Sequence, residues 1–240
     1  MIATSAPAIL EATIDVTYFK ATRPNGTDFR TGTVDYAAAL ESGEPLTIPE
    51  AKRTTTLCSS GILYAADIPV MTMYGGRWPC RLFRVEGKPV ASDGHKHGFY
   101  SLTVIEALPA HQVFGPNGEA VAALIERAGV LTAAEFKRLR ADRDAVEAVV
   151  RDASWADAWT ATGEGAARYF AWSAAGDAAS KALAAARYFP WSAAGDAACF
   201  GAIYAARDAT LALVVRDLIP TELFDTLYGP WRDAIGDVLE

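Results

Sequence analysis

The chain has 240 residues, 51% of them hydrophobic, and a formal net charge of −7. That is enough apolar material for one large or two small cores, and the acidic balance argues against a nucleic-acid surface, which needs a basic face. Three cysteines, Cys58, Cys80 and Cys199, are an odd count in a chain of this length and exclude a disulfide framework. The charge is uneven. Ten Lys and Arg face eleven Asp and Glu through residue 115, and twelve face eighteen beyond it.

Residues 1–10 read as a loose leader without the positive n-region of a secretory signal. No apolar run approaches the roughly 18 residues of a spanning helix. The expectation is a cytoplasmic protein with no membrane partner. Ala12–Lys20 alternates and is rich in β-branched and aromatic residues, which predicts a strand. Arg23-Pro24-Asn25-Gly26 is a turn, and Phe29–Val34 reads as a short strand returning from it. Asp35 caps a brief helix over Tyr36–Glu41, stopped by Gly43 and Pro45. Lys52–Leu57 reads as an edge strand and Ile62–Ala66 as a short apolar one. Ile68–Tyr74 is a helical turn started by Asp67 and Pro69 and closed by Gly75-Gly76. Arg81–Val85 and Phe99–Ala107 are strands. These elements predict a small α+β domain over residues 1–115.

Beyond Gly115-Pro116-Asn117-Gly118 the pattern turns helical, giving an all-helical region over residues 116–240. Glu119–Ala128 is amphipathic. Thr132 and Glu135 form a capping box for a helix to about Arg140, and a further helix is expected from Asp142 to about Trp159. Next comes an internal duplication. Ala-Arg-Tyr-Phe-Ala-Trp-Ser-Ala-Ala-Gly-Asp-Ala-Ala at 167–179 recurs at 186–198 with Pro190 in place of Ala171, a period of 19 residues. Alanine is the best helix former, and an interior proline kinks or ends a helix. Two helices, about 166–188 and 191–218, or one sharply kinked helix, are therefore predicted. Tyr169, Phe170, Trp172 and Gly176, with Tyr188, Phe189, Trp191 and Gly195 in the second copy, set large side chains beside small ones, as interdigitating helices do. They are the candidate interface for self-association or for a protein partner. After Pro220, Thr221 is expected to cap a short helix to Tyr228, Gly229-Pro230 to break it, and Trp231–Leu239 to form a terminal helix.

Two constellations invite chemistry. His95 and His97 lie two apart, which on a strand would put both on one face, and with Cys58 and Cys80 they supply the four side chains of an imagined zinc site; the spacing matches no compact finger, and the histidines read first as an exposed polar loop. Asp177 and Lys181, four apart on a helix, read as an exposed ion pair. No Gly-x-Ser-x-Gly elbow and no phosphate-cradling Gly-x-x-x-x-Gly-Lys loop is present.

Tyr18–Gly32 and the pattern Cys58, Gly61, Leu63-Tyr64-Ala65, Pro69, Tyr74 and Arg81–Gly87 resemble an uncharacterised family of bacteriophage and actinobacterial proteins. There a small mixed domain precedes Ala-rich helices. That likeness implies a phage origin, as a virion component or a host-directed factor, beside the non-enzymatic assembly or interaction role that the Ala/aromatic helix faces suggest. A second likeness is carried by Gly61–Asp67, Tyr74, the strand Leu82–Gly87 and the opening Tyr18–Arg23. It is similar to the NAD-binding tyrosine segment of ADP-ribosyltransferases. It implies NAD as cofactor, Tyr64 stacked on nicotinamide, Lys20 in the slot where that family has His, and Glu106 as the late glutamate. Tyr64 also reads simply as a core side chain of a small β-rich domain.

Overall fold

The computed structural model describes residues 17–141, 163–185 and 193–239. Its strands are β1 (Tyr18–Thr22), β2 (Leu46–Thr47), β3 (Leu63–Ala66), β4 (Arg81–Glu86), β5 (Pro89–Asp93), β6 (Lys96–Phe99) and β7 (Ser101–Leu108). The helices are α1 (Tyr36–Ser42), α2 (Gly118–Ala128), α3 (Ala133–Ala141), α4 (Gly163–Ala185), α5 (Ala193–Val214) and α6 (Thr221–Ile235). All seven strands join one sheet in the order β2-β7-β4-β1-β3-β6-β5, and the pairings are antiparallel. The protein is an α+β fold, with its sheet in the N-terminal half and most of its helices in the C-terminal half.

The sheet is covered on both faces, and β4 shows why. Leu82 faces the helices, while Phe83 and Val85 face a smaller core under α1. All three are fully buried, so the strand buries side chains on both faces of the sheet while Arg81, Arg84 and Glu86 stay partly exposed. The smaller core joins Tyr18, Leu63, Ala65 and Phe99 to Tyr36 of α1. The larger core crosses residue 115: Ala21, Leu82, Val113 and Phe114 pack with Leu124, Ala175, Ala206 and Trp231. The sheet and the helices therefore share one apolar interior.

The duplicated segment supplies close helix packing. α4 buries Ala171, Ala175, Ala178 and Ala179, and α5 buries Ala202, Ala205, Ala206 and Ala209. These are helical spacings of three, four and seven. Alanine faces let the two backbones approach, and a Cβ at Gly176 would meet the Arg207 side chain at 3.3 Å. Arg168, 2% exposed, ties the start of α4 to the end of α5. It donates to the Val214 carbonyl at 3.1 Å and forms a two-pronged pair with Asp217. That bond, with the positive charge beside it, holds the Asp217 carboxyl below the ordinary range.

Several elements differ from expectation. Residues 29–34 are not a strand: only a Thr27–Asp35 bridge closes the segment, because Asp28 draws the loop's amides onto its own carboxylate. Residues 53–57 form no edge strand, since Glu50–Lys52 is a 3-10 turn and Leu46–Thr47 pairs with β7 instead. His95 and His97 lie in a β5–β6 hairpin rather than an open loop, and Phe99 ends β6 rather than beginning β7. α6 runs straight through Gly229-Pro230. An interior proline costs on the order of 3 kcal/mol, and here Tyr228 and Trp231, both fully buried, hold the helix on either side. Residues 12–16, the helix expected over 142–159, and Tyr188, Phe189, Pro190 and Trp191 lie outside the described residues.

Candidate functional site

The sheet opens between β1 and β3. β1 pairs with β4 along its whole length, but with β3 only at Phe19 and Ala66. Past that point the strands part, and a cavity of about 510 Å³ lies beside them. Lys20 and Tyr64, from the two parting strands, both line it. The loop 28–34 and the segment Cys58–Ser60 add walls, and Tyr74-Gly75-Gly76 adds a third.

Each wall has a local cause. Asp28 is buried and accepts from the Thr31 amide at 2.7 Å, the Thr31 hydroxyl at 2.8 Å, and the Thr33 and Val34 amides at 3.0 Å. Burial pushes its carboxyl up, yet these donors and the charge of Lys20 outweigh it and hold the pKa at about 2. The loop so fixed leaves Arg30 exposed and within 3.4 Å of the Tyr64 hydroxyl. Cys58 sits in a turn with φ 66. The 3-10 turn Pro69–Met73 closes at Gly75, whose φ of 81 suits glycine.

The cavity is cationic within an acidic chain. Lys20, Arg30 and Lys96 line it, and the one carboxylate among the described lining residues, Asp28, is already saturated by loop donors. The Lys20 ammonium lies 5.3 Å from the Tyr36 ring centroid and 5.9 Å from that of Tyr64. The Lys96 ammonium lies 4.6 Å from the Tyr64 centroid and 5.3 Å from that of Tyr74, and it donates to the Cys58 Sγ at 2.9 Å. Loss of water around Lys20 lowers its pKa to about 8; Asp28 opposes the shift and the like charge of Lys96 adds to it. Burial, with the Cys58 sulfur nearby, raises the Tyr64 hydroxyl, whose proton is donated to the Ser59 carbonyl at 3.2 Å. Burial also raises Tyr36. Aromatic faces beside ammonium groups suit a ligand that has both a flat ring and negative charge.

Of the residues singled out in the sequence, Lys20 and Tyr64 come together here. Glu106 does not join them: it lies on β7 and pairs with Arg84 at 2.7 Å. Cys58, Cys80, His95 and His97 do not converge either. Cys80 is buried in the larger core, where burial pushes its thiol up to about 12. His95 bonds Asp67 at 2.9 Å. Among the described residues no three His, Cys, Asp or Glu side chains gather as a metal site would require. In the repeat, Phe170 packs edge-on against Tyr74 with centroids 4.6 Å apart. Tyr169 is 46% exposed, and its ring lies against those of Phe170 and Trp172. Gly195 lies within α5. Asp177 and Lys181 line a second cavity of about 430 Å³, between α4 and residues 73–78.

Four cavity residues escape a reading by motif: Asp28, Arg30, Tyr36 and Lys96. Asp28-x-x-Thr31 is a visible loop-forming signal. Lys96 is masked by the flanking histidines, although alternation along a strand sends it to the opposite face from them. Comparison with known proteins finds no family model, no curated relative and no solved structure that matches the chain.

Proposed function

We propose that this chain binds a small anionic ligand carrying a planar ring in the cavity between β1 and β3. One observation carries the reading: two ammonium groups, Lys20 and Lys96, face the same cavity, and among the described residues neither has a carboxylate within ion-pair distance. Like charges held together cost free energy that a bound anion recovers. Tyr64 and Tyr74 offer ring faces at the same place. Nucleotides meet this description, and NAD is the one the ADP-ribosyltransferase resemblance names, with Tyr64 as its platform. Among the described residues no free carboxylate lines the cavity beside Tyr64 and Lys20, so binding is better supported than transfer chemistry. Calorimetric titration with NAD tests the reading. Saturable binding weakened at least tenfold by Lys96→Met is expected, whereas no heat at millimolar ligand contradicts it.

A second reading concerns the helices: the chain assembles with itself or with a partner through α4 and α5, as a virion component or host-directed factor would. What favours it is the half-open aromatic group of Tyr169, Phe170 and Trp172, together with Tyr204, 48% exposed on α5. Sedimentation at high concentration is expected to show an oligomer that Trp172→Ala with Trp191→Ala dissociates. A wild-type monomer throughout removes this reading.

A further inference from the structure

We propose that Lys20 is a nucleophilic amine that forms a reversible imine with an aldehyde bearing an anionic group, which Lys96 and Arg30 hold. The proposal rests on the anion-binding reading of the same cavity and goes one step beyond it. An amine that serves as a nucleophile needs access, a free lone pair and a carbonyl held against it. Lys20 lines the cavity, so a ligand can reach it. Among the described residues its ammonium makes no hydrogen bond and no ion pair; the Tyr36 and Tyr64 rings lie beside it, and the charges of Asp28 and Lys96 act on it in opposite directions. Lys96 differs, being engaged by the Cys58 sulfur. The two lysines thus divide the work: Lys96 and Arg30 attract the anion, and Lys20 meets the carbonyl. The ring of Tyr64 beside the Lys20 nitrogen gives a flat aldehyde something to lie against.

The environment favours the uncharged amine. With its pKa lowered to about 8 by loss of water and by Lys96, roughly half of Lys20 is neutral at pH 8, against well under one per cent of an ordinary lysine. The step needs no oxidant or reductant. The nitrogen lone pair attacks the aldehyde carbon and the carbonyl π pair moves to oxygen. A proton passes from nitrogen to that oxygen, and the carbinolamine expels one water as the C=N bond forms. Addition of water reverses the sequence.

Pyridoxal 5′-phosphate is a suitable probe, since it is a flat aldehyde with a phosphate. The protein is incubated with it at substoichiometric dose, reduced with borohydride and mapped by peptide mass spectrometry. Pyridoxine 5′-phosphate, which lacks the aldehyde, reports non-covalent binding in parallel. The expected result is an adduct on Lys20 at least tenfold above any of the other five lysines. It is absent in Lys20→Arg and at least tenfold weaker in Lys96→Met or with pyridoxal lacking the phosphate. Labelling spread evenly over the six lysines overturns the proposal. If pyridoxine 5′-phosphate binds and Lys20 stays unmodified, the imine is overturned and the anion-binding reading survives. If pyridoxine 5′-phosphate does not bind, both fall.

Discussion

Asp28 shows how one side chain builds a wall of the cavity. It is buried, and four donors from Thr31, Thr33 and Val34 converge on it. Its folded pKa, about 2, lies below the value of 3.8 expected for a free side chain. A carboxylate depressed in this way contributes stability that is complete above its unfolded pKa and is lost as pH falls through the folded one. The shift corresponds to about 2 kcal/mol. Asp28→Asn is therefore expected to cost roughly 1–2 kcal/mol at pH 7, since one carbonyl acceptor remains while the charge is gone. The cost shrinks toward pH 2, where the wild-type group is itself protonating. Urea unfolding at both pH values checks this, and an equal loss at both would show that the charge on Asp28 is not what organises the loop. Lys20 is the counterpart of Asp28. Among the described residues no acceptor bonds the lysine, and the Asp28 carboxylate acts on it only through its charge.

At the scale of elements, what the sequence made legible was local. Asp35 caps α1 through the Ala38 amide at 2.9 Å, and Gly43 ends it at φ 71. Thr132 and Glu135 satisfy each other's amides at the start of α3. The two copies of the repeat contribute to two separate helices, α4 and α5, because alanine favours helix wherever it is packed. The misreadings share a different cause, since tertiary contacts decided them. Pro230 is tolerated inside α6 because buried Tyr228 and Trp231 anchor it, which no local propensity reveals. Residues 29–34 have strand-like composition, but Asp28 competes with the ladder for their amides. The β5–β6 hairpin turns at Gly94, φ 56, and its strands are polar because β5 is largely exposed at the sheet edge. A pattern search for buried alternation passes over such a strand. The cavity was half legible. Tyr64 and Lys20 stood out by resemblance, whereas Lys96, Arg30 and Tyr36 reach them only through strand pairing and a loop 28–34 folded back on itself.

Across the whole molecule, the sheet and the helices share a core, and the cavity sits beside that junction. Tyr74 lines it and meets Phe170 of α4 edge-on, so the duplicated segment braces one wall of the site. Gly75 and Gly76 line both this cavity and the one against α4. The chain carries net charge −7, yet among the described residues this cavity is lined by three cations and one saturated carboxylate. A local reversal of sign focuses anions into a cleft even when the surface as a whole repels them. The central claim, that an anionic planar ligand occupies the gap between β1 and β3, is tested most directly by mapping amide chemical shifts while NAD is titrated in. The account predicts saturable shifts concentrated in residues 19–21, 28–34, 58–66 and 74–76, and in Lys96, that need at least tenfold more ligand in Lys96→Met. Shifts confined to the helices, or none at millimolar ligand, would contradict it.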